Sequence, residues 1–320
     1  MKKILRLMIF VFFSIQAQAQ EKTFLKSIDK KLWIPFRWTS DSLGGRFYDR
    51  LSINIDGKIN NVPYPLELQF DTGASSSILY GNTLKSLVKV QPSLAAQWPE
   101  LKSDTVNQWT QINVELSMPL TGSRVSKAYV MNRYGQTVSA EEFKEGKPIH
   151  IGSWGLDACL GKIVLLDFRN QRIAFLDQSV NEKLVSFVLF KLEKNRIKVP
   201  LTINGKEFYF LYDSGASLFP IMTVKKGWDS INPVATSDTI KGVSTWGKYY
   251  DVYGAPLAAK AYLGDTPLSS KTIYYHPDPD KYHEPIFDEA GVVGSIGNSY
   301  FFDQILVIDF RTNRFGVVKK

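Results

Sequence analysis

The apolar residues of this chain form short runs rich in Val, Ile, Phe and Tyr, separated by Gly, Asn, Asp and Pro. Phe208–Tyr212 and Gln304–Ile308 are two examples. Runs of this length and composition, bounded by turn residues, are typical of β-strands. Helix-like stretches are few and short, near Thr83–Val88, Val180–Val185 and Asn298–Gln304. The pattern therefore predicts a mainly β fold.

Two parts of the chain carry the same sequence pattern. The apolar run Leu68–Phe70 leads into Asp71-Thr72-Gly73-Ala74-Ser75, and Phe210–Tyr212 leads into Asp213-Ser214-Gly215-Ala216-Ser217. The shift of 142 residues that superposes the two aspartates (213 − 71) also superposes two later pairs of segments without a gap. These pairs are Ile151–Gly155 with Val293–Gly297, and Ile163–Arg172 with Ile305–Arg314. The sequence therefore predicts an internal duplication of a β unit of roughly 140 residues, a period too long for a solenoid or propeller.

Length and composition agree with two lobes. The chain has 320 residues, of which 44% are apolar and 13% aromatic. This length exceeds the usual limit for a single hydrophobic core, and the apolar content excludes a disordered chain. We expect an N-terminal lobe over residues 20–182 and a C-terminal lobe over residues 183–320.

The first nineteen residues have the pattern of a secretory signal peptide. Three basic residues precede the apolar run Leu7–Ile15, and Ala17-Gln18-Ala19 forms a small-x-small cleavage site. The apolar run is too short to span a membrane, and no later segment approaches a spanning helix. We therefore expect residues 1–19 to be removed and the protein to be exported, either to the periplasm or out of the cell.

Charge and cysteine content narrow the functional classes. Removing the signal lowers the formal net charge of +8 by three, and the remaining Lys and Arg are scattered among acidic residues. A basic surface of this kind does not indicate a nucleic-acid partner. Cys159 is the only cysteine, so no internal disulfide can form. Its apolar neighbours favour a buried packing residue over a nucleophile.

The repeated Asp-Thr/Ser-Gly segment carries the candidate chemistry. A carboxylate at the end of a strand, followed by a hydroxyl residue and Gly, indicates a tight turn that presents its backbone N–H groups. Two such turns, one from each half, can face each other. Carboxylates a few ångströms apart cannot both ionise, so the pair holds one shared proton. Asp71 and Asp213 would then serve as a general acid and a general base around one water molecule.

These motifs resemble those of the bilobal pepsin-like aspartic proteases, and their sequences are more similar to those of the retropepsin-like branch. The resemblance covers nearly the whole chain after the signal. It implies a pepsin-like acid protease fold of two homologous β-barrel-like lobes, related by a pseudo-twofold axis. It also implies an aspartic endopeptidase with catalytic Asp71 and Asp213 that needs no cofactor or metal. We expect a monomer whose substrate is an extended peptide or an unfolded protein.

The same resemblance assigns supporting roles around the pair. The hydroxyls of Thr72 and Ser214 should exchange hydrogen bonds across the axis. The remaining residues of the active-site loops are Gly73, Ala74, Ser75, Gly215, Ala216 and Ser217, and the supporting strands are His150-Ile151-Gly152 and Val292-Val293-Gly294. A β-hairpin flap with an aromatic tip should cover the cleft. Its candidates are Trp109, Trp246 and Gly247, although plain core or hairpin packing is the favoured interpretation of either Trp.

Two departures from the family pattern affect the expected chemistry. His150 stands where a supporting strand is normally apolar, and we expect a hydrogen-bonded packing residue rather than a third catalytic group. Ala74 and Ala216 stand where pepsin-like enzymes commonly carry a hydroxyl residue. Losing a donor to the ionised carboxylate raises the pKa values of the pair. We therefore expect an activity optimum less acidic than that of the gastric type.

Other interpretations stay open. The segment His276–Glu284 contains two His and three carboxylates that would suit a divalent metal, but its prolines favour a solvated surface loop. A catalytically silent bilobal protein that binds a peptide or another ligand in the same cleft is the main rival, because a fold can persist without its activity. An exported β protein with purely structural aspartates would not explain the symmetric context of the two motifs. Motifs of other enzyme classes are absent from the sequence.

Overall fold

The computed structural model describes residues 19–59, 61–102, 108–232, 234–245 and 247–319. Within these ranges the chain is mainly β and forms three sheets, so the fold class predicted from the short apolar runs is confirmed at this level. The predicted signal segment lies outside the described residues, except for residue 19.

The described strands number twenty-three. In chain order they are β1 (Trp33–Pro35), β2 (Arg37–Leu43), β3 (Arg46–Ile59), β4 (Leu66–Phe70), β5 (Ile78–Tyr80), β6 (Trp109–Ser117), β7 (Arg124–Met131), β8 (Ile149–Trp154), β9 (Ile163–Asp167), β10 (Arg172–Leu176), β11 (Val185–Leu189), β12 (Lys191–Glu193), β13 (Arg196–Ile203), β14 (Lys206–Tyr212), β15 (Ile221–Val224), β16 (Asp238–Thr245), β17 (Lys248–Pro256), β18 (Ala261–Leu263), β19 (Thr266–Pro267), β20 (Thr272–His276), β21 (Gly294–Ile296), β22 (Ile305–Asp309) and β23 (Arg314–Val318).

Helices are short and lie between the strands. Residues 19–26 are helical (α1), and the later α-helices are α2 (Gly81–Val90), α3 (Ala140–Lys144), α4 (Lys225–Ile231) and α5 (His283–Ala290). The described 3₁₀ helices are Lys30–Leu32, Pro92–Ala96, Pro99–Lys102, Leu156–Ala158, Glu182–Leu184 and Asn298–Phe301. No helix in the described part of the chain is long and apolar enough to cross a membrane.

Two of the sheets each take their strands from one half of the chain. The first has the order β2-β3-β4-β8-β5-β7-β6, and an additional pairing of β3 with β6 closes all of these strands except β2 into a ring. The second has the order β16-β17-β20-β15-β21-β14-β13-β18-β19, with β12 paired to β13. In both sheets the strand that leads into an Asp-Thr/Ser-Gly segment, β4 or β14, pairs in parallel with a later strand, β8 or β21.

The third sheet combines strands from both halves in the order β1-β10-β9-β22-β23-β11. At its centre β9 pairs antiparallel with β22, so that Ile163 lies opposite Asp309 and Asp167 opposite Ile305. The 142-residue shift of the sequence repeat relates Ile163 to Ile305 and Asp167 to Asp309 (305 − 163). It therefore converts one of these two pairs into the other. The expected lobe boundary at residues 182 and 183 falls in the 3₁₀ helix Glu182–Leu184, between β10 and β11.

Burial along the strands explains why the sequence forms them. β4 alternates buried and half-buried residues, as expected for a strand with one face on the core. β9 and β22 are buried at every position, which matches their continuous apolar runs. Two apolar clusters contain residues from both halves of the chain, and the larger one includes Cys159. Burial raises the pKa of that thiol, so Cys159 is a packing residue in an unreactive environment.

The segment His276–Glu284 is a partly exposed connection between β20 and α5, as its prolines suggested, but two of its side chains are buried. His276 and Asp278 are only 4% and 5% exposed. The physical reason is that the Asp278 carboxylate accepts the backbone N–H groups of Tyr282, His283 and Glu284, which folds the segment back on itself where α5 begins. The residues that face solvent are Pro277, Pro279, Asp280, Lys281 and Tyr282. The expected surface loop is therefore present, and His276 and Asp278 are buried positions within it.

Candidate active site

Asp71 and Asp213 occupy equivalent places in the first and second sheets. Each follows its strand directly, and each backbone N–H donates to a carbonyl of the parallel neighbour. Asp71 N–H donates to Trp154 O at 2.9 Å, and Asp213 N–H donates to Ile296 O at 2.9 Å. Trp154 and Ile296 are the last residues of β8 and β21, so these strands hold both aspartates in place.

Each aspartate is fixed by its own loop. Asp71 Oδ1 accepts the backbone N–H groups of Gly73 at 2.9 Å and Ala74 at 3.2 Å. Asp213 Oδ1 accepts the N–H of Gly215 at 2.9 Å. These bonds turn both side chains back over their loops and leave the second oxygen of each carboxyl group available.

The glycines allow the two loops to meet. A Cβ placed on Gly73 would lie 2.7 Å from Cγ of Asp213, and a Cβ on Gly215 would lie 2.8 Å from Cγ of Asp71. Only a residue without a side chain fits against the opposing carboxyl group at this distance. Each aspartate therefore packs against the loop that carries the other.

The two carboxyl groups lie side by side, since each packs against the glycine of the loop that carries the other. Asp71 is 6% exposed, and Asp213 is partly buried. Burial raises the pKa of both carboxyl groups, and the charge of Asp213 raises the pKa of Asp71 further. The pair therefore holds a proton more strongly than an exposed aspartic acid does.

Thr72 and Ser214 lock the two loops together beneath the carboxyl groups. Thr72 N–H donates to Ser214 Oγ at 2.9 Å, and Ser214 N–H donates to Thr72 Oγ1 at 3.0 Å. Each hydroxyl then donates across the interface, from Thr72 to Tyr212 O at 3.1 Å and from Ser214 to Phe70 O at 2.8 Å. All four bonds are buried, and the structure contains the exchange expected from the sequence.

Two side chains that the sequence did not predict as site residues hold the Asp213 loop in place. Asn298 Nδ2 donates to Ser214 O at 2.9 Å and to Ser217 Oγ at 2.7 Å, while Asn298 Oδ1 accepts the Tyr212 hydroxyl at 2.6 Å. Gln69 Nε2 donates to Gly215 O at 3.2 Å. A polar residue inside the apolar run before Asp71 was the available signal for Gln69. Asn298 had no comparable signal, because the repeat places Leu156 at its position.

Of the two expected supporting strands, His150-Ile151-Gly152 lies within β8, whereas Val292 and Val293 precede β21, which begins at Gly294. A Cβ on Gly152 in β8 would lie 2.0 Å from Ile78 O, and one on Gly294 in β21 would lie 2.5 Å from Met222 O. Both glycines therefore permit close approach of β5 and β15. Ile151 and Val292 are buried, and Val293 N–H donates to Tyr209 O at 3.0 Å.

His150 lies at the far end of β8 from Asp71, and its ring packs on that of Tyr80 with a centroid distance of 5.3 Å. Its Nδ1 is buried and has no hydrogen-bond partner among the described residues. Burial lowers the pKa of the imidazole. The expected packing role agrees with this environment, but the expected hydrogen bond at Nδ1 is absent within the described part of the chain.

The flap candidates differ in position. Trp109 begins β6, is 42% exposed and lines a cavity of about 550 Å³ together with Gly73 and Ser75. Trp246 lies outside the described residues. Gly247 lies in the turn between β16 and β17 with φ of 82°, and a Cβ there would be 3.4 Å from the Tyr134 ring. The β16–β17 hairpin therefore reaches from the second half of the chain to the first.

Two cavities are each lined in part by Asp71 and Asp213. They have volumes of about 200 and 350 Å³, and Ala216, Val243 and Thr245 line both. Val243 and Thr245 belong to β16, so the hairpin borders both spaces. A ligand that crossed the pair would therefore meet the two carboxyl groups on one side and the hairpin on another.

Comparison with known proteins adds no identification. No family model matches the chain, and no curated protein sequence is similar to it.

Proposed function

We propose that this protein is an aspartic-type endopeptidase that hydrolyses peptide bonds with water activated between Asp71 and Asp213. The observation that carries this proposal is the close approach of two carboxyl groups, one buried and one partly buried, each held by backbone N–H bonds at the end of a strand. Such a pair provides one proton donor and one proton acceptor at the same point.

The ionised carboxylate accepts a proton from the attacking water, while the protonated partner donates to the oxygen of the scissile carbonyl. A tetrahedral diol forms, and its collapse with protonation of the amide nitrogen releases two peptides. No covalent enzyme intermediate and no cofactor take part. The Thr72–Ser214 bonds contribute by keeping the carboxyl groups in fixed relative positions, so that little reorganisation accompanies the reaction.

We also infer a pepsin-like arrangement of two duplicated lobes. Residues related by the 142-residue repeat make the same contacts, since Asp71 bonds to Trp154 as Asp213 bonds to Ile296. The exchange of register between β9 and β22 supports the same pseudo-twofold relation. A closed ring of strands in the first half supports a barrel-like lobe.

The substrate proposed for this site is an extended peptide or an unfolded protein. The cavity of about 200 Å³ beside the pair has apolar lining from Leu211, Phe219, Met222, Val243 and Ile286. This lining favours apolar side chains next to the scissile bond. The predicted signal peptide places the activity in an exported protein, and the proposed enzyme acts as a monomer, because one chain supplies both aspartates.

Cleavage of an unfolded protein by residues 20–320, assayed from about pH 3 to pH 7, tests the proposal. Asp71→Asn and Asp213→Asn should each lower the rate by at least ~100-fold, since each removes one member of the acid–base pair. Asp265→Asn changes an exposed aspartate and is the matched control, with an unchanged rate expected.

A statine-type transition-state analogue should block the cleavage. A folded wild-type protein that cleaves nothing across this range would contradict the proposal and favour the catalytically silent binding protein. Equal cleavage by wild type and both Asn variants would contradict it as well.

A further inference from the structure

A second group of ionisable side chains lies beside the aspartate pair. His276 ends β20, His283 begins α5, and Asp278 lies in the turn between them. One potential ligand atom from each residue lies within 4.8 Å of the other two. His283 Nδ1 is 3.3 Å from Asp278 Oδ1, and His276 Nδ1 is 3.9 Å from the same oxygen.

His276 has an unusual environment for a buried imidazole. It is 4% exposed, and neither ring nitrogen has a hydrogen-bond partner among the described residues. Its ring lies 4.4 Å from that of His283 and 5.4 Å from that of Tyr250, measured between centroids. Buried polar atoms of folded proteins are nearly always paired. The orphaned nitrogens of His276 therefore indicate a missing partner in the group.

We propose that His276, Asp278 and His283 form a binding site for a divalent transition-metal ion, of which Zn²⁺ fits best. Two imidazoles and one carboxylate are a ligand set that Zn²⁺ prefers. The three residues include no cysteine, which disfavours an Fe–S cluster. Two of the three ligands are nitrogens, which disfavours Ca²⁺ and Mg²⁺ because these ions prefer oxygen ligands.

The protonation states suit this role. Burial lowers the pKa of His276 to about 4 and lowers that of His283, so both imidazoles are neutral near neutral pH. Burial opposes ionisation of Asp278, but the backbone N–H groups of Glu284 and His283 outweigh it and lower the pKa of that carboxyl group. The site thus offers two neutral nitrogens and one carboxylate without releasing protons.

The geometry requires only small adjustments. Ligand atoms of a tetrahedral zinc site lie about 3.3–3.5 Å apart for bonds of about 2.0–2.2 Å. The distance from His283 Nδ1 to Asp278 Oδ1 lies at the lower end of this range, whereas that from His276 Nδ1 exceeds it, so the His276 ring must move toward the ion. Glu284 N–H donates to Asp278 Oδ2 at 2.8 Å and holds the carboxylate from behind. The nearby cation Lys248 is paired with Asp280 at 2.9 Å, which reduces its repulsion of a bound ion.

The site borders the proposed substrate cavity. His276 and His283 line the same cavity of about 200 Å³ as Asp71 and Asp213. Three protein ligands leave a fourth tetrahedral position for water or for a donor group of a ligand in that cavity. The metal site goes beyond the proposed peptidase, and metal binding does not depend on the peptidase being correct.

Calorimetric titration of metal-free protein, residues 20–320, with Zn²⁺ tests the site. One ion per chain should bind, and His276→Gln and His283→Gln should each weaken binding by at least ~10-fold. His150→Gln removes the third histidine of the chain, which lies outside the group, and should leave the affinity unchanged. Asp213→Asn should also leave it unchanged, which separates this site from the aspartate pair.

Titration of the wild type with Co²⁺ supplies a readout that needs no variant. Intense visible absorption of a tetrahedral ion is expected, and Zn²⁺ should abolish it. Absence of saturable Zn²⁺ binding, or equal affinity in folded His276→Gln protein, would overturn the proposal. Binding lost in Asp213→Asn but kept in both His variants would assign the ion to the aspartate pair and would also overturn it.

Discussion

At the scale of single residues, the atoms around the two carboxyl groups determine their proton affinity. Asp71 Oδ1 accepts only backbone N–H groups from its loop, because Ala74 has no hydroxyl to add. Ala216 is equivalent in the other loop. Burial raises the pKa of both aspartates with few donors to oppose it. The two alanines led the sequence analysis to expect raised pKa values, whereas the main cause in the structure is burial.

Ala216→Ser should shift the pH–rate profile toward lower pH. The new hydroxyl would donate to the ionised carboxylate of Asp213 and so lower the pKa values of the pair. Ala216 is half-buried and lines both cavities beside the aspartate pair, into which a hydroxyl can extend. The profile of kcat/KM against pH for both proteins measures the shift. A wild-type maximum at about pH 2 would contradict the effect proposed for the two alanines, because a pH that low is expected when hydroxyl groups donate to the carboxylates.

His150 provides a second residue-scale prediction, concerning stability. Burial lowers its pKa in the folded state, so its contribution to stability is present above the unfolded value of about 6.5 and is lost as pH falls. His150→Leu should remove this loss. Denaturant unfolding of both proteins at about pH 7.5 and pH 5 measures it, with the variant gaining relative stability at the lower pH.

Peptidase activity of His150→Leu separates packing from catalysis. The ring contacts Tyr80 and lies at the far end of β8 from the aspartates, so the rate should stay close to that of the wild type. A rate reduced by 100-fold or more, in a folded variant, would instead make His150 part of the reaction.

At the scale of elements, the two loops act as one unit. Thr72 and Ser214 each satisfy a backbone N–H and a backbone carbonyl of the opposite loop, and all of these groups are buried. Losing one hydroxyl therefore leaves two buried backbone groups without partners. This reciprocity explains why a hydroxyl residue follows both aspartates.

Thr72→Val keeps the shape of the side chain and removes its hydroxyl. It should lower the free energy of unfolding by about 1–3 kcal/mol per orphaned group and reduce cleavage, because the carboxyl groups lose their fixed separation. Thr239→Val, on the exposed side of β16, is the matched control and should change stability by less than ~0.5 kcal/mol. Equal unfolding free energies for the two variants would show that the exchange contributes no stability.

Strands and loops near the aspartates were predictable because their signals are local. Asp-Thr/Ser-Gly after an apolar run predicts both turns. The predicted helical stretch Thr83–Val88 lies within α2. The helix α5 was missed because it contains Pro285 and lacks a capping residue directly before it. The N–H groups at its start are instead accepted by Asp278, five residues earlier than His283, which the sequence did not indicate.

Contacts that join distant segments were beyond sequence reasoning. Asn298 reaches Ser214 across 84 residues and Gln69 reaches Gly215 across 146. Neither side chain belongs to a motif, and only the folded sheets bring them to the loops. The β16–β17 hairpin was expected only as a pair of candidate residues at its turn.

At the scale of the whole molecule, a central sheet joins the two halves. β9 and β22 pair along five residues, and both are completely buried. This pairing fixes the relative position of the first and second sheets, which in turn places Asp71 against the Gly215 loop and Asp213 against the Gly73 loop. The close contact of the carboxyl groups is thus a property of the whole chain.

The most direct test of the account is an NMR titration of the ¹³C carboxyl signals of Asp71 and Asp213. We expect the pair to retain one proton well above the ordinary aspartate pKa of about 3.9. We also expect Asp213→Asn to move the transition of Asp71 toward lower pH, because it removes the charged neighbour. Two independent transitions at about 3.9, unchanged in the variant, would contradict the shared proton and with it the proposed mechanism.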